Sequence, residues 1–363
     1  MKLDQFRTLG RSGLAVSPLA LGTMTFGTQR WGADEAASRA IFDAYVEAGG
    51  NFVDTADVYS GGASEELLGR FIREKGLRDR VVLATKAGFG TGDHPHSGGG
   101  GTKHLHDALH ASLRRLATDH VDLYWLHMWD MVTPAEEVLQ TMTSFVRTGK
   151  IRYWGISNAP VWYIARIATL AEAHALPRPI ALQLEYSLVE RGIEAEHLAL
   201  AGELGMAIQP WSPLAGGFLT GKYRRDDPAN VAGQRGPALP DGKPDDGQGD
   251  RLSGSNPFGD SKFTERNWDI LDVLRTVADE AGASPAQVAL AWLVDRPGIA
   301  ATLVGASRPD QLAANLAALE LALTDEQRRR LDQASMPSHP YPASLYTPLV
   351  RRFVFGGAEV SGW

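Results

Sequence analysis

The chain has 363 residues, 44% of them hydrophobic and 22% charged, and a formal net charge of −7. That balance is ordinary for a globular protein, and its acidic sign argues against a nucleic-acid surface, which needs clustered Lys and Arg. With no cysteine there is no disulfide framework, thiol nucleophile or thiolate metal site. The N-terminal stretch is polar and lacks the apolar core of a secretory leader, and no apolar run approaches the ~20 residues of a membrane span. The expected location is the cytoplasm.

The first segment, FRTLGRSGLAVS, reads as a β-hairpin, with Arg-Ser-Gly between two short runs. Strand candidates then follow at 17–23, 51–56, 80–86, 121–127, 151–157, 181–186, 206–212 and 301–307. They are rich in Val, Ile, Leu and Tyr without strict alternation, as expected of parallel strands covered on both faces. Helical patterns lie between them, beginning with DEAASRAIFDAYVEAGG, where Asp34 is placed to cap, and SEELLGRFIREKG, which opens with Ser64 and two glutamates. The last helix read from the pattern is PDQLAANLAALE. Eight strands each followed by helix predict a single (β/α)8 TIM barrel over residues 1–363, with the hairpin in front of it.

Three segments fall outside this rhythm. The 88–102 tract is glycine-rich and flexible by composition, and the 221–262 stretch is rich in Gly, Pro and Asp, as in a lid or a surface insertion. The tail, 337–363, holds Tyr341, Tyr346, Phe353, Phe355 and Trp363, which predicts that it packs against something.

The chemistry concentrates where strands end. Asp54 and Tyr59 follow the second strand, Lys86 ends the third and His127 ends the fourth. In a parallel barrel such ends converge on one mouth. Tyrosine, with a reference pKa of about 10, donates a proton usefully near neutrality only beside a positive charge that steadies its phenolate. Lys86 is placed to be that charge, Asp54 to hold the ammonium, and His127 to orient a substrate oxygen. Singly, these residues read as a turn cap, a packed ring and a solvent-facing strand end; jointly they read as a proton-transfer site.

The chain resembles the aldo-keto reductases over nearly its whole length. The resemblance rests on LGTMTFG, DTADVYSGGASEELLG, ATK, DLYWLHMWD, GKIRYWGISN, LQLEYS, WSPLAGGFLTGKY and GASRPDQLAAN, in that order. It implies that Asp54, Tyr59, Lys86 and His127 are the catalytic tetrad, and that an aldehyde or ketone is reduced to an alcohol by hydride from a nicotinamide cofactor, with Tyr59 protonating the oxygen. It also implies that Gly22, Thr23 and Met24 border the nicotinamide ribose and that Ser157, Asn158 and Gln183 serve the carboxamide. Trp211 would stack on the nicotinamide ring where many relatives have Tyr. Ser212, Leu214, Gly216, Leu219 and Lys222 would line the pyrophosphate and adenosine side. Gly305, Ser307, Arg308, Gln311 and Asn315 would follow at the adenosine ribose, where Arg308 and Lys222 favour the 2′-phosphate of NADP(H) over NAD(H).

Trp31, Trp129 and the 217–262 loop are candidate substrate walls, together with Tyr59 and His127, for a small carbonyl compound that is bulky, ringed or a sugar. No resident metal is expected: His94, His96, His104, His106 and His110 are close in sequence, but no carboxylate or Cys completes a site. The glycines of LGTMTFG lack the G-x-G-x-x-G spacing of a dinucleotide fingerprint. Two other functions use the same residues. One is an alcohol or sugar dehydrogenase running in the oxidative direction. The other is a cofactor-sensing regulatory subunit like the reductase-shaped β subunits of potassium channels, although no segment looks like a channel-docking or inactivation element. Oligomeric state is not legible in the sequence.

Overall fold

Strands with no polar face must be covered on both sides, and the chain does this by closing a sheet on itself. The computed structural model describes residues 1–28, 32–226, 252, 262–338 and 340–360. The hairpin is β1 (Arg7–Thr8) and β2 (Ala15–Val16), paired antiparallel. The barrel strands are β3 (Leu19–Gly22), β4 (Phe52–Asp54), β5 (Val82–Ala87), β6 (Val121–Leu126), β7 (Ile151–Ser157), β8 (Ala181–Glu185), β9 (Ala207–Trp211) and β10 (Thr302–Val304). All are parallel, in the order β10-β3-β4-β5-β6-β7-β8-β9. Ile208 N donates to the Gly298 carbonyl at 2.9 Å and Ala300 N to the Ile208 carbonyl at 3.1 Å, which joins the two ends of that order.

Successive residues along each strand enter different cores, because side chains alternate across the pleat. Phe52, Val82, Ala84, Leu123, Trp125, Ala181 and Ala207 fill the barrel interior. Val53, Leu83, Tyr124, Ile156, Leu182 and Ile208 face the helices. The hairpin plugs the end of the barrel opposite the strands' C-termini: Leu9 and Val16 are fully buried in the interior cluster, and Arg11 N donates to the Gly205 carbonyl at 2.8 Å. Gly10 makes this approach feasible, since a Cβ there would stand 2.3 Å from the Ile180 carbonyl oxygen.

The outer layer is α1 (Glu35–Glu47), α2 (Ala63–Glu74), α3 (Thr102–Arg115), α4 (Ala135–Arg147), α5 (Val161–Ala173), α6 (His197–Leu204), α7 (Glu265–Ala281), α8 (Pro285–Val294) and α9 (Pro309–Leu316). Asp34 caps α1 as expected, accepting from Ala37 N. Two further helices were not read from the pattern: α10 (Asp325–Ala334) and α11 (Pro348–Val354). The first carries a legible signal, a capping box in which Thr324 and Gln327 satisfy each other's backbone.

The tail departs from expectation. Tyr341, Tyr346, Phe353 and Phe355 are exposed, so these rings do not pack on the described residues of the chain; Trp363 lies outside the described residues. On the seven-residue α11, Leu349, Val350, Phe353 and Val354 share one face and Arg351 and Arg352 the other, and Leu349, Phe353 and Val354 of that apolar face are exposed. Most of the 221–262 stretch and Trp31 also lie outside the described residues. The 88–102 tract is closed by its own bonds, with Thr91 N donating to the Ser97 carbonyl and Gly99 N to the Gly88 carbonyl, both at 2.9 Å. Asp130 anchors it by accepting from Gly100 N at 2.8 Å.

One glycine ties barrel packing to the site. A Cβ at Gly155 would stand 2.3 Å from Trp125 Cζ3 and 2.7 Å from the Ala181 carbonyl oxygen. Gly155→Ala is expected to destabilise the fold by about 1–3 kcal/mol through overpacking, read as a lower midpoint in urea. An unchanged midpoint would show that Trp125 gives way freely.

Candidate active site

The two-residue period that fills the barrel also aims its chemistry. Asp54 shares the inward parity of Phe52 on β4. Lys86 shares that of Val82 and Ala84 on β5, and His127 that of Leu123 and Trp125 on β6. All three therefore reach the barrel axis from the C-terminal ends of adjacent strands. Tyr59 arrives from the short turn after β4, in which Ser60 holds a left-handed φ of 51°.

Lys86 is the centre of this arrangement. It has no exposed surface, and its ammonium pairs with Asp54, donates to the Thr55 carbonyl at 2.8 Å and reaches Tyr59 Oη at 3.1 Å. Asp54 Oδ2 accepts from Trp125 Nε1 at 3.0 Å and from Gln183 Nε2 at 3.1 Å. With Lys86 on Oδ1, three N–H donors converge on one carboxyl, an environment for the ionised form. Burial pushes the Asp54 carboxyl up from its ordinary value, and Lys86, Gln183 and Trp125 oppose that push. At Lys86 the loss of solvent is outweighed by Asp54 and Tyr59, and its pKa is raised. The ammonium thus stays charged beside the phenol oxygen.

His127 completes the mouth. Its ring meets Tyr59 edge-on at 6.0 Å between centroids and Phe89 at 4.6 Å. Burial, helped by the charge on Lys86, holds its pKa well below the usual histidine range, so the imidazole is neutral at physiological pH. The sign for stability follows from that depression: an unfolded histidine takes up a proton near 6.5 and this one does not, so stability falls as pH drops below that value.

The other residues anticipated at the mouth are placed as follows. Thr23 is fully buried, and its Oγ1 donates to the Asp54 carbonyl at 3.2 Å; Gly22 and Met24 flank it, half-buried. Asn158, at a left-handed φ of 49°, links three strand ends: its Nδ2 donates to the His127 carbonyl at 3.1 Å and to Ser157 Oγ at 2.9 Å, and its Oδ1 accepts from Trp211 Nε1 at 3.1 Å. Gln183 is spent on Asp54 and on Gln209 Oε1, at 2.8 Å. Ser212 Oγ accepts from Gly216 N at 3.1 Å. Leu219 is buried, Leu214 half-buried, and Lys222 exposed, with Nζ over the Tyr223 ring.

After β10, Gly305 is exposed and Asn315 Nδ2 donates to its carbonyl at 3.4 Å. Gln311 Oε1 accepts from Ser307 N at 2.9 Å and from Ser307 Oγ at 3.0 Å. Arg308, at the head of α9, pairs with Asp310 at 3.1 Å. Trp129 joins Trp162 and Tyr163 in an aromatic cluster, with centroids 5.5 and 5.8 Å from it. Of the clustered histidines, His94 meets His96 and His106 meets His110 edge-on, with centroids 6.5 and 6.1 Å apart; His106 also packs on Phe145 and His110 meets Lys150. Among the described residues no three His, Asp or Glu side chains gather as metal ligands.

Sequence reasoning missed Trp125, Gln209 and the Thr55 carbonyl. Trp125 had a usable signal, since it lies two residues before His127 on one strand and must face the same way. Trp125→Phe removes a donor from a buried carboxylate and leaves space behind it. A loss of about 2 kcal/mol or more is expected in urea unfolding; a loss near zero would mean that Asp54 needs only Lys86 and Gln183.

The profile of the aldo/keto reductase family matches residues 18–336. The chain is 36% identical to a probable voltage-gated potassium channel subunit beta of Oryza sativa, over 87% of this chain and 92% of that one. It is 34% identical to norsolorinic acid reductase of Emericella nidulans, over 87% and 77% of the two chains. It is 31% identical to the NADP(+) aryl-alcohol dehydrogenase of Phanerodontia chrysosporium, over 95% and 89%.

Proposed function

Because this chain belongs to the aldo/keto reductase family, we propose that it is an NADPH-dependent oxidoreductase that reduces an aldehyde or ketone, with Tyr59 as the proton donor. The observation that carries this reading is the buried Lys86, bonded at once to Asp54, the Thr55 carbonyl and Tyr59 Oη. A lysine is buried in this way only at considerable cost unless it is paired, and here the pairing leaves its charge against a phenol oxygen.

The residues present fit a nicotinamide dinucleotide. Trp211 supplies an aromatic ring, half-buried at the end of β9 and pinned through its indole nitrogen. Ser212 and Gly216, at φ of 54° and 66°, turn the chain tightly beyond it. Arg308 stands at the N-terminus of α9, where backbone amides favour phosphate. When bound, the cofactor supplies the hydride.

The protein's own part is proton chemistry and positioning. Tyr59 Oη passes its proton to the substrate oxygen, and Lys86 steadies the phenolate left behind. Asp54 holds Lys86 in place, and neutral His127 offers a hydrogen bond rather than a competing charge. In the oxidative direction the same groups act in reverse. We take the substrate to be a ringed carbonyl compound. This rests on the Trp129, Trp162 and Tyr163 cluster beside the mouth and on relatives named for aryl alcohols and norsolorinic acid. Likeness to a channel β subunit supports a second reading, cofactor sensing without rapid turnover. Steady-state turnover of an aldehyde panel with NADPH separates the two.

Tyr59→Phe removes only the hydroxyl. Its kcat is expected to fall by about 10²-fold or more with cofactor affinity kept, measured by initial rates and fluorescence titration. Near-normal turnover would remove Tyr59 from its role. Arg308→Ala is expected to weaken NADPH by about one to two decades and to leave NADH unchanged. Equal loss of both cofactors would place the 2′-phosphate elsewhere.

A further inference from the structure

A second group of ionisable side chains lies directly behind Lys86, on the helix-facing side of the barrel wall. It consists of Asp57, from the turn after β4; Glu65, on α2; Arg115, at the end of α3; and Tyr124, on β6. Thr85 of β5 stands among them. Glu65 has no exposed surface and is fully served: Thr85 Oγ1 donates to its Oε1 at 2.5 Å and Arg115 Nε to its Oε2 at 2.7 Å. Asp57 is different. Its side chain is buried, at 3% exposure, yet neither carboxyl oxygen has a hydrogen-bond partner among the described residues, and nor does the buried Tyr124 hydroxyl. Its backbone is tied to the catalytic strand, with Asp57 N donating to the Lys86 carbonyl at 3.1 Å.

We propose that Asp57 is a positioning residue of this active site: held against β5 by its backbone bond to the Lys86 carbonyl, its carboxyl tunes the field that Lys86 presents to Tyr59. The proposal rests on the reading of Lys86 and Tyr59 given above. Charge balance supports it. Lys86 and Arg115 are matched by Asp54 and Glu65, each carboxylate with its own donors. An ionised Asp57 adds one negative charge beyond that balance, on a carboxyl that no side chain hydrogen-bonds, which a buried site resists. Burial and the neighbouring Glu65 push its pKa up to about 7, against the pull of Arg115, the Val58 amide and Lys86. Near neutrality, then, the wall behind Lys86 changes from neutral to negative as pH rises. A negative wall draws on the field of the ammonium and makes the phenolate of Tyr59 harder to form.

The two states differ in their effect on the phenol and on folding. A unit charge one strand away, at an effective dielectric near 20, moves a neighbouring titration by on the order of one unit. The folded carboxyl binds its proton more tightly than an unfolded one does. The stability it contributes is therefore fully present below the ordinary value of 3.8 and is lost as pH rises through about 7.

The test uses the full chain labelled with carbon-13 at the tyrosine Cζ, without cofactor, so that it does not depend on turnover. The Tyr59 resonance is assigned by its loss in Tyr59→Phe. In Asp57→Asn, Tyr59 is expected to ionise at a pH lower by on the order of one unit than in the wild type. Asp57→Leu, which removes the charge without leaving a buried amide, is expected to do the same and guards against a folding defect in the first variant. Thermal stability should fall less in both variants than in the wild type between mildly acid and mildly alkaline pH. An unmoved Tyr59 midpoint in a folded variant overturns the proposal, as does a fall in stability equal to the wild type's. Absence of carbonyl turnover in the wild type would overturn the proposed reaction but leave this coupling measurable.

Discussion

Lys86 carries a charge with no solvent around it, and the rest of the barrel mouth is organised to make that tolerable. Asp54 balances the charge, the Thr55 carbonyl takes a second proton of the ammonium, and Tyr59 Oη takes the third. Asp54 in turn needs donors of its own, which Trp125 and Gln183 supply. Gln183 is held by Gln209. A chain of polar contacts therefore crosses the barrel interior from β4 and β5 through β6 and β8 to β9. From Lys86 to Gln183 each member finds its partner in the next, which is what lets a buried polar network rigidify a site; Gln209 accepts from Gln183 through Oε1, while its Nε2 has no partner among the described residues.

That network depends on the pleat. Side chains two residues apart on one strand face the same way. The residues that close the interior with apolar surface, Phe52, Ala84 and Trp125, are thus followed two positions later by Asp54, Lys86 and His127. Trp125 belongs to both systems, since it fills the interior core and donates to Asp54. The glycine at 155 leaves room for its ring. Packing and the polar network at the mouth are coupled here through one side chain. The other parity carries Thr85 and Tyr124 outward, toward the acidic pair of Asp57 and Glu65.

Much of this was legible because the signals are local. The strand runs, the hairpin and the Asp34 cap each depend on a few neighbouring residues, and each appears where the sequence placed it. The meeting of Asp54, Tyr59, Lys86 and His127 was legible for a related reason: strand ends in a parallel barrel meet at one mouth whatever lies between them. The α10 capping box was equally local and was missed for want of an apolar stripe, since DEQRRRLDQA is almost wholly polar. The tail's aromatics signal an apolar surface but not what covers it, and on the described residues they stand exposed.

By itself, the sequence determined the barrel, the identity of the four residues at its mouth, and the family, because periodicity and motif order survive without coordinates. Only the tertiary structure decided how those residues are electrically set. Whether Lys86 is charged, whether His127 is neutral and whether Asp54 is supported depend on burial and on donors from strands up to 129 positions apart. The same holds for Asp57. In sequence it is one more acid in DTADVY; in the fold it is a buried carboxyl near Glu65 of α2 and Arg115 of α3, with no hydrogen-bond partner among the described residues. Desolvation and field are sums over everything nearby in space, and nearness in space is what a linear sequence does not state.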